Sequence, residues 1–163
     1  MRVLSTLFLT LLPVLTLAAK RPRSSTVNVY ETYRGKSAST PSLKLDDSVF
    51  DELTSLPRNH STLVCLTALE ARFGCAMCHQ WKPEWDLLAR TWAKGDKNGD
   101  SRLLLGELDF MDGKQTFESL QLQTAPLLLL FPPTTGPNAR ASASPLRFDF
   151  STSGYVHPSS NLS

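Results

Sequence analysis

Residues 61–81 read Ser-Thr-Leu-Val-Cys-Leu-Thr-Ala-Leu-Glu-Ala-Arg-Phe-Gly-Cys-Ala-Met-Cys-His-Gln-Trp. Residues 61–69 are apolar and β-branched, which predicts a buried strand. Arg72, Phe73 and Gly74 predict a turn. Over residues 75–94, Trp81, Trp85, Leu88 and Trp92 recur at helical spacing, which predicts a helix. Cys75 and Cys78 therefore stand where a buried strand hands over to a helix. Two cysteines three apart at a helix start can close a disulfide within one turn. The unpaired N–H groups and positive dipole end of the helix favour thiolate at the first of them. Only the thiolate attacks, so Cys75 is the expected nucleophile. Cys78, one turn deeper, is expected to resolve the mixed disulfide.

Three other readings fit the same residues. The pair can be a structural disulfide with no turnover. It can be half of a zinc site, although Cys65, His60, His79 and His157 supply no finger-like spacing. It can attach haem, since His79 completes Cys-x-x-Cys-His, but that needs a second axial ligand and usually less strand structure. No metal or other cofactor is expected.

Working outward, residues 44–50 open the compact part, with Asp47 or Ser48 expected to cap a helix through Phe50 and Leu53. Residues 57–60 break that helix. Residues 20–42 are polar, with a short strand or ordered arm expected over 26–33. Past the cysteines come a loop at 95–100, a buried strand at 102–110 and a helix at 113–120 with Phe117 and Leu120 inward. A strand at 127–131, a turn-rich loop at 132–137 and a strand at 146–150 follow. From Ser151 the chain turns polar. The alternation of strand and helix predicts a layered α/β domain.

The chain has 163 residues, enough for one such domain, and a net charge of +2. No stretch concentrates Lys and Arg, so nucleic acid is not an expected partner. Met1-Arg2, an apolar run over 3–17 and Ala18-Ala19 have the three-part layout of a secretory signal peptide. The alternative is a retained anchor, but the run is short for a membrane span. No later apolar run is long enough to cross a bilayer, so the mature chain reads as soluble. An oxidising compartment lets disulfides persist, and an odd count of three cysteines leaves at least one unpaired or paired outside the chain. Cys65, in the apolar strand, reads as a buried structural thiol.

Other features resemble the thioredoxin superfamily. Pro83 lies five places after Cys78, where such proteins carry a helix-kinking proline. Thr124-Ala125-Pro126 precedes a strand, where they carry a cis-proline; the alternative is a trans proline opening the strand. Leu66-Thr67-Ala68-Leu69, Phe73-Gly74-Cys75-x-x-Cys78, Leu108-Asp109-Phe110 with Gly113, and residues 122–126 leading to Phe131-Pro132-Pro133 narrow the match. They resemble the lumenal domain of the thioredoxin-like subunits of the eukaryotic oligosaccharyltransferase complex.

The resemblance implies a thioredoxin-like fold, a central mixed β-sheet flanked by helices. The resemblance runs over about residues 43–133, more weakly to 150, so with the composition the expected division is a signal peptide at 1–19, a polar arm at 20–42, the domain at 43–150 and a polar tail at 151–163. It implies transient mixed disulfides with nascent secretory polypeptides, holding them for N-glycosylation without itself transferring the sugar. Pro126 would pack beside the disulfide and exclude metal. Ala125, Pro126 and Met77 would contact the client. Other subunits of the complex are implied partners. The implied location is the endoplasmic reticulum lumen, at the membrane where the four transmembrane helices of family members accompany the domain. A soluble lumenal oxidoreductase or isomerase, and a non-redox peptide-binding domain, are the competing functions. Glu70 lies near the buried acid of thioredoxin but out of register, and is not assigned.

Residues 96–107 match most of a calcium loop, with Asp96, Asn98, Asp100 and Glu107 at ligand positions. Ser101 replaces the required glycine and a strand follows, so a solvated turn is expected. Asn59-His60-Ser61 and Asn161-Leu162-Ser163 are acceptor triplets for N-glycosylation, with Asn59 the candidate site. The tryptophans read as core or groove wall.

Overall fold

The strands at the centre of the sheet carry apolar residues toward both faces because both faces are covered. The computed structural model describes residues 26–37, 39–40, 42–150 and 156–159. In chain order these give α1 (Thr26–Ser37), β1 (Leu43–Leu45), α2 (Asp47–Thr54), β2 (Ser61–Thr67) and a 3-10 turn (Ala71–Phe73). Then come α3 (Ala76–Gly95), β3 (Leu103–Asp109), α4 (Lys114–Ser119), β4 (Leu127–Phe131), β5 (Leu146–Phe150) and β6 (Val156–Ser159). The six strands form one sheet in the order β1-β3-β2-β4-β5-β6. β1 and β2 run parallel to β3, and β4, β5 and β6 join antiparallel. This is the expected α/β thioredoxin-like architecture, a mixed sheet between helices.

Strand alternation sorts the core into two layers. Val64, Leu66, Leu104, Leu108, Leu127 and Leu129 face Tyr30, Tyr33, Phe50, Leu53 and Phe117, which α1, α2 and α4 supply. Cys65, Leu105 and Leu128 face Trp85 and Ala89 of α3. Gly106 lets β1 approach β3: a Cβ there would lie 2.6 Å from Leu45 Cδ1.

Several expectations are corrected. Residues 26–33 belong to a helix, not a strand or arm. Tyr30 and Tyr33 lie one turn apart and are both buried, and their hydroxyls donate to the Gly99 carbonyl (3.0 Å) and Glu52 (2.7 Å). The packed body therefore opens ahead of Leu43, inside the segment expected as a polar arm. The cap of α2 is Asp46, whose carboxylate accepts from Val49 N at 2.8 Å. Asp47 instead caps a different helix: it accepts from Thr116 N (2.8 Å) and Thr116 Oγ1 (2.7 Å) at the start of α4. Burial would raise its carboxyl, but those bonds and one from Gln115 hold it below the usual range. Along α3 the buried stripe is Cys78, Trp85 and Ala89, while Leu88 and Trp92 are exposed. Beyond Ser151, β6 pairs with β5 where only a polar tail was expected. Among the described residues no helix is long and apolar enough to cross a membrane. The segment read as a signal peptide and the Asn161 triplet lie outside the described residues.

Candidate functional site

The site is built where β2 ends. Asp109, the last residue of neighbouring β3, reaches across to fix the outgoing chain. Its Oδ2 accepts from Leu69 N (2.7 Å) and Thr67 Oγ1 (3.2 Å), and its Oδ1 from Met111 N (3.0 Å). The 3-10 turn then closes on Gly74, which is left-handed at φ 61°, a conformation that favours glycine. Cys75 follows as the N-cap of α3.

Cys75 and Cys78 form a disulfide. The N–H of Cys78 donates to Cys75 Sγ at 3.2 Å, and the N–H of Ala68 to Cys78 Sγ at 3.4 Å. Each sulfur thus has a backbone donor that would stabilise negative charge on it. They differ in access: Cys75 is partly exposed and Cys78 is fully buried. Cys75 Sγ lies 3.4 Å from the carbonyl oxygen of Ala125, and the Ala125–Pro126 peptide bond is cis, as expected. Pro83 lies inside α3, where it cannot donate to the preceding turn.

A groove of about 450 Å³ runs past Cys75. Ala68, Phe73, Phe110, Phe117 and Leu122 form its apolar wall, and Gln123, Thr124 and Ala125 its polar rim. Of the residues expected to meet a client, Ala125 lines the groove, Pro126 is buried behind it, and Met77 is not among its walls. Trp81 is turned away, its ring 4.6 Å from that of Phe150. Sequence reading missed the four aromatic and leucine wall residues because four separate segments supply them. Phe73 and Phe110 meet edge to face at 5.1 Å, and Phe110 and Phe117 at 5.3 Å.

Cys65 is the free thiol, buried in β2; burial pushes it up to about 12, so it stays protonated. Glu107 is paired with Lys44 (2.6 Å) and Lys82 (3.3 Å), with its side chain only 1% exposed. The remainder of the calcium-loop match is a turn into β3, with the Asp96 carboxylate accepting from Ser101. Asn59 is half-buried before β2, its carbonyl accepting from Arg102 Nε at 3.0 Å.

A disulfide capping a helix, a cis-proline facing it and a four-helix mixed-sheet frame define a thioredoxin-like domain with a Cys-x-x-Cys site. A family model described as "OST3 / OST6 family, transporter family" matches residues 31–161, and the chain belongs to that family. Among curated relatives, the dolichyl-diphosphooligosaccharide–protein glycosyltransferase subunit MAGT1 of Xenopus laevis is 34% identical over 85 residues, covering 52% of this chain and 26% of that protein. Subunit 3 of the same transferase from Saccharomyces cerevisiae is 27% identical over 104 residues, covering 57% and 29%. The chain thus spans little more than a quarter of the length of these relatives. Among solved structures, the Trx4 domain of ERdj5 is 22% identical, with a TM-score of 0.45 over 66% of this chain and 79% of that one.

Proposed function

We propose that this domain is the client-holding part of an oligosaccharyltransferase subunit, acting in the endoplasmic reticulum beside the other subunits of that complex. It tethers nascent secretory polypeptides by transient mixed disulfides while they are glycosylated, and it does not transfer the sugar. The observation that carries this reading is the unequal access of the two sulfurs: Cys75 opens on a groove, and Cys78 is sealed beneath it. A client thiolate reaches only Cys75 Sγ. Its attack forms the client–Cys75 bond and breaks the Cys75–Cys78 bond, and Cys78 takes the electron pair and then a proton. Return attack by Cys78 on Cys75 releases the client thiolate. No net oxidation occurs over the cycle. Ala125 offers backbone to an extended client beside the bond, Pro126 backs it, and the aromatic wall takes a neighbouring apolar side chain.

The test uses Cys78→Ser, which removes the return attack. Incubated with a peptide carrying one mixed-disulfide-activated cysteine and an Asn-x-Thr triplet, it is expected to hold the peptide covalently, releasable by dithiol. Cys75→Ser is expected to hold none. A folded Cys78→Ser protein that forms no adduct would sink the proposal.

A further inference from the structure

Asp109 is bonded to the residues on both sides of Ala68. Its Oδ2 accepts from the Leu69 N–H at 2.7 Å and from the Thr67 hydroxyl at 3.2 Å. Thr67 and Asp109 are register partners at the ends of parallel β2 and β3, and the Phe110 N–H donates back to the Thr67 carbonyl at 2.8 Å. The other carboxylate oxygen accepts from Met111 N at 3.0 Å and fixes the chain leaving β3. Ala68 is the first residue past β2. Its N–H donates to Cys78 Sγ at 3.4 Å. Cys75 draws its donor from a different element, the Cys78 N–H of α3, at 3.2 Å. The two sulfurs are therefore served separately, and only the donor to Cys78 lies between residues that Asp109 holds. Past the end of a strand, an amide keeps its direction only where its neighbours are pinned, and here both are.

We infer that Asp109 is a positioning residue for the exchange: by pinning Thr67 and Leu69 it holds the Ala68 N–H on the Cys78 sulfur, and so sets how long a client stays tethered. The inference rests on the tethering reading. A donor aimed at sulfur favours thiolate over thiol. It serves both directions of the exchange. When a client thiolate attacks Cys75 Sγ, the Cys75–Cys78 bond breaks and Cys78 takes the electron pair beside the Ala68 N–H. On return, Cys78 loses its proton to solvent, its thiolate attacks Cys75 Sγ, and the client leaves as thiolate. The charge of Asp109 works the other way, because a carboxylate disfavours a second negative charge near it. Positioning and charge therefore predict opposite signs when Asp109 is replaced. The other ionisable side chains on the elements that meet here are Cys65 on β2, Glu70 and Arg72 on the turn, and His79 and Lys82 on α3. Glu70 and Arg72 pair with each other, and Lys82 pairs with Asp86 and Glu107. Residues 124–126, around the cis-proline, carry none.

The test is stopped-flow reaction of the reduced protein with an aromatic disulfide, dithiobis-nitrobenzoate. The first thionitrobenzoate released reports attack by Cys75, and the second reports attack by Cys78 on the resulting mixed disulfide. Asp109→Ala frees the segment, and Ala68→Pro deletes the N–H itself without changing any charge. Thr67, extended in β2, suits the place before a proline. Both variants are expected to slow the second phase about threefold at neutral pH, since a roughly tenfold loss of thiolate is partly offset by its greater nucleophilicity. Both should raise the pH midpoint of that phase and leave the midpoint of the first phase in place. Asp109→Asn loses the same charge as Asp109→Ala but keeps an oxygen for the Leu69 N–H, so it should fall between Asp109→Ala and the native protein. A second-phase midpoint that is native or lowered in Asp109→Ala or Ala68→Pro would overturn the inference. So would equal shifts of both phases, or Asn and Ala variants that behave alike. Should Asp109→Ala or Ala68→Pro fail to fold, Asp109→Asn decides, and a second phase of native rate and midpoint overturns it. Absence of the first phase in the native protein would instead remove the tethering reading.

Discussion

The two ends of β2 and β4 handle buried polar groups in opposite ways. At the end where Ser61 enters, Arg58 is buried and its guanidinium donates to three backbone carbonyls, of Pro132 (2.7 Å), Thr54 (2.6 Å) and Ala143 (2.9 Å). His60 beside it is buried too, its Nε2–H donating to the Leu53 carbonyl at 3.2 Å. The Leu56–Pro57 bond at this end is cis, as Ala125–Pro126 is at the other. Where Thr67 leaves, a sulfur and the Thr124–Ala125 backbone line an open groove. Next to one cis-proline, buried donors find acceptors within the fold. The other leaves the Cys75 sulfur and the backbone beside it accessible. Closed polar groups hold a structure; open ones can hold a client.

The largest effect is expected from breaking the closed end. Arg58→Ala leaves three carbonyls short of a charged donor and should cost about 3–5 kcal/mol, read as a fall in the denaturant midpoint. Adduct formation by Cys75, measured in the Cys78→Ser background where the Arg58 variant is still folded, should be unchanged. Equal loss at both ends would mean that the two are not separable. His60 sharpens the same contrast by pH. Burial and the neighbouring Arg102 and Arg58 push its imidazole down from 6.5 to about 4, against the Leu53 bond that raises it. The fold accepts the neutral ring, so this stability is complete above about pH 6.5 and is lost as pH falls toward about 4. The loss is on the order of 3 kcal/mol. Unfolding free energies measured across that window should fall in the native protein and fall less in His60→Gln. The smallest stability effect belongs to the open end: Phe73→Ser, at a partly exposed wall residue, should cost about 1 kcal/mol or less. It should nevertheless weaken binding of an apolar peptide to the Cys78→Ser protein several-fold, measured by titration before any covalent step.

Much of the closed interior was legible in the chain. The runs at 127–131 and 146–150 are strands with the expected bounds because uninterrupted apolar or alternating residues have few other uses. The cysteine pair and Pro126 were legible because their spacing is local. α1 was not: Thr26, Val27 and Val29 favour a strand, and the helix depends on Tyr30 and Tyr33 finding partners far along the chain. β6 is defined by pairing with β5 and carries no apolar run of its own. Asp47 looked like a local cap, yet its acceptors serve α4 because the two helices pack together. The groove wall and the cluster of Glu107 with Lys44 and Lys82 escaped for the same reason, since each is assembled across several elements. A lone glutamate within residues 103–108 was the one visible signal of that cluster.

The central claim is that Cys75–Cys78 is an exchanging bond and not a staple. The most direct measurement equilibrates the intact protein in graded glutathione buffers, alkylates it, and counts modified cysteines by mass spectrometry. The account predicts that Cys75 and Cys78 convert together from disulfide to two alkylated thiols within the range of an endoplasmic reticulum lumen, about −180 to −210 mV, or moderately below it. Cys65 should stay unmodified until the protein is denatured. A pair that remains oxidised to below about −300 mV, as structural disulfides do, would contradict it.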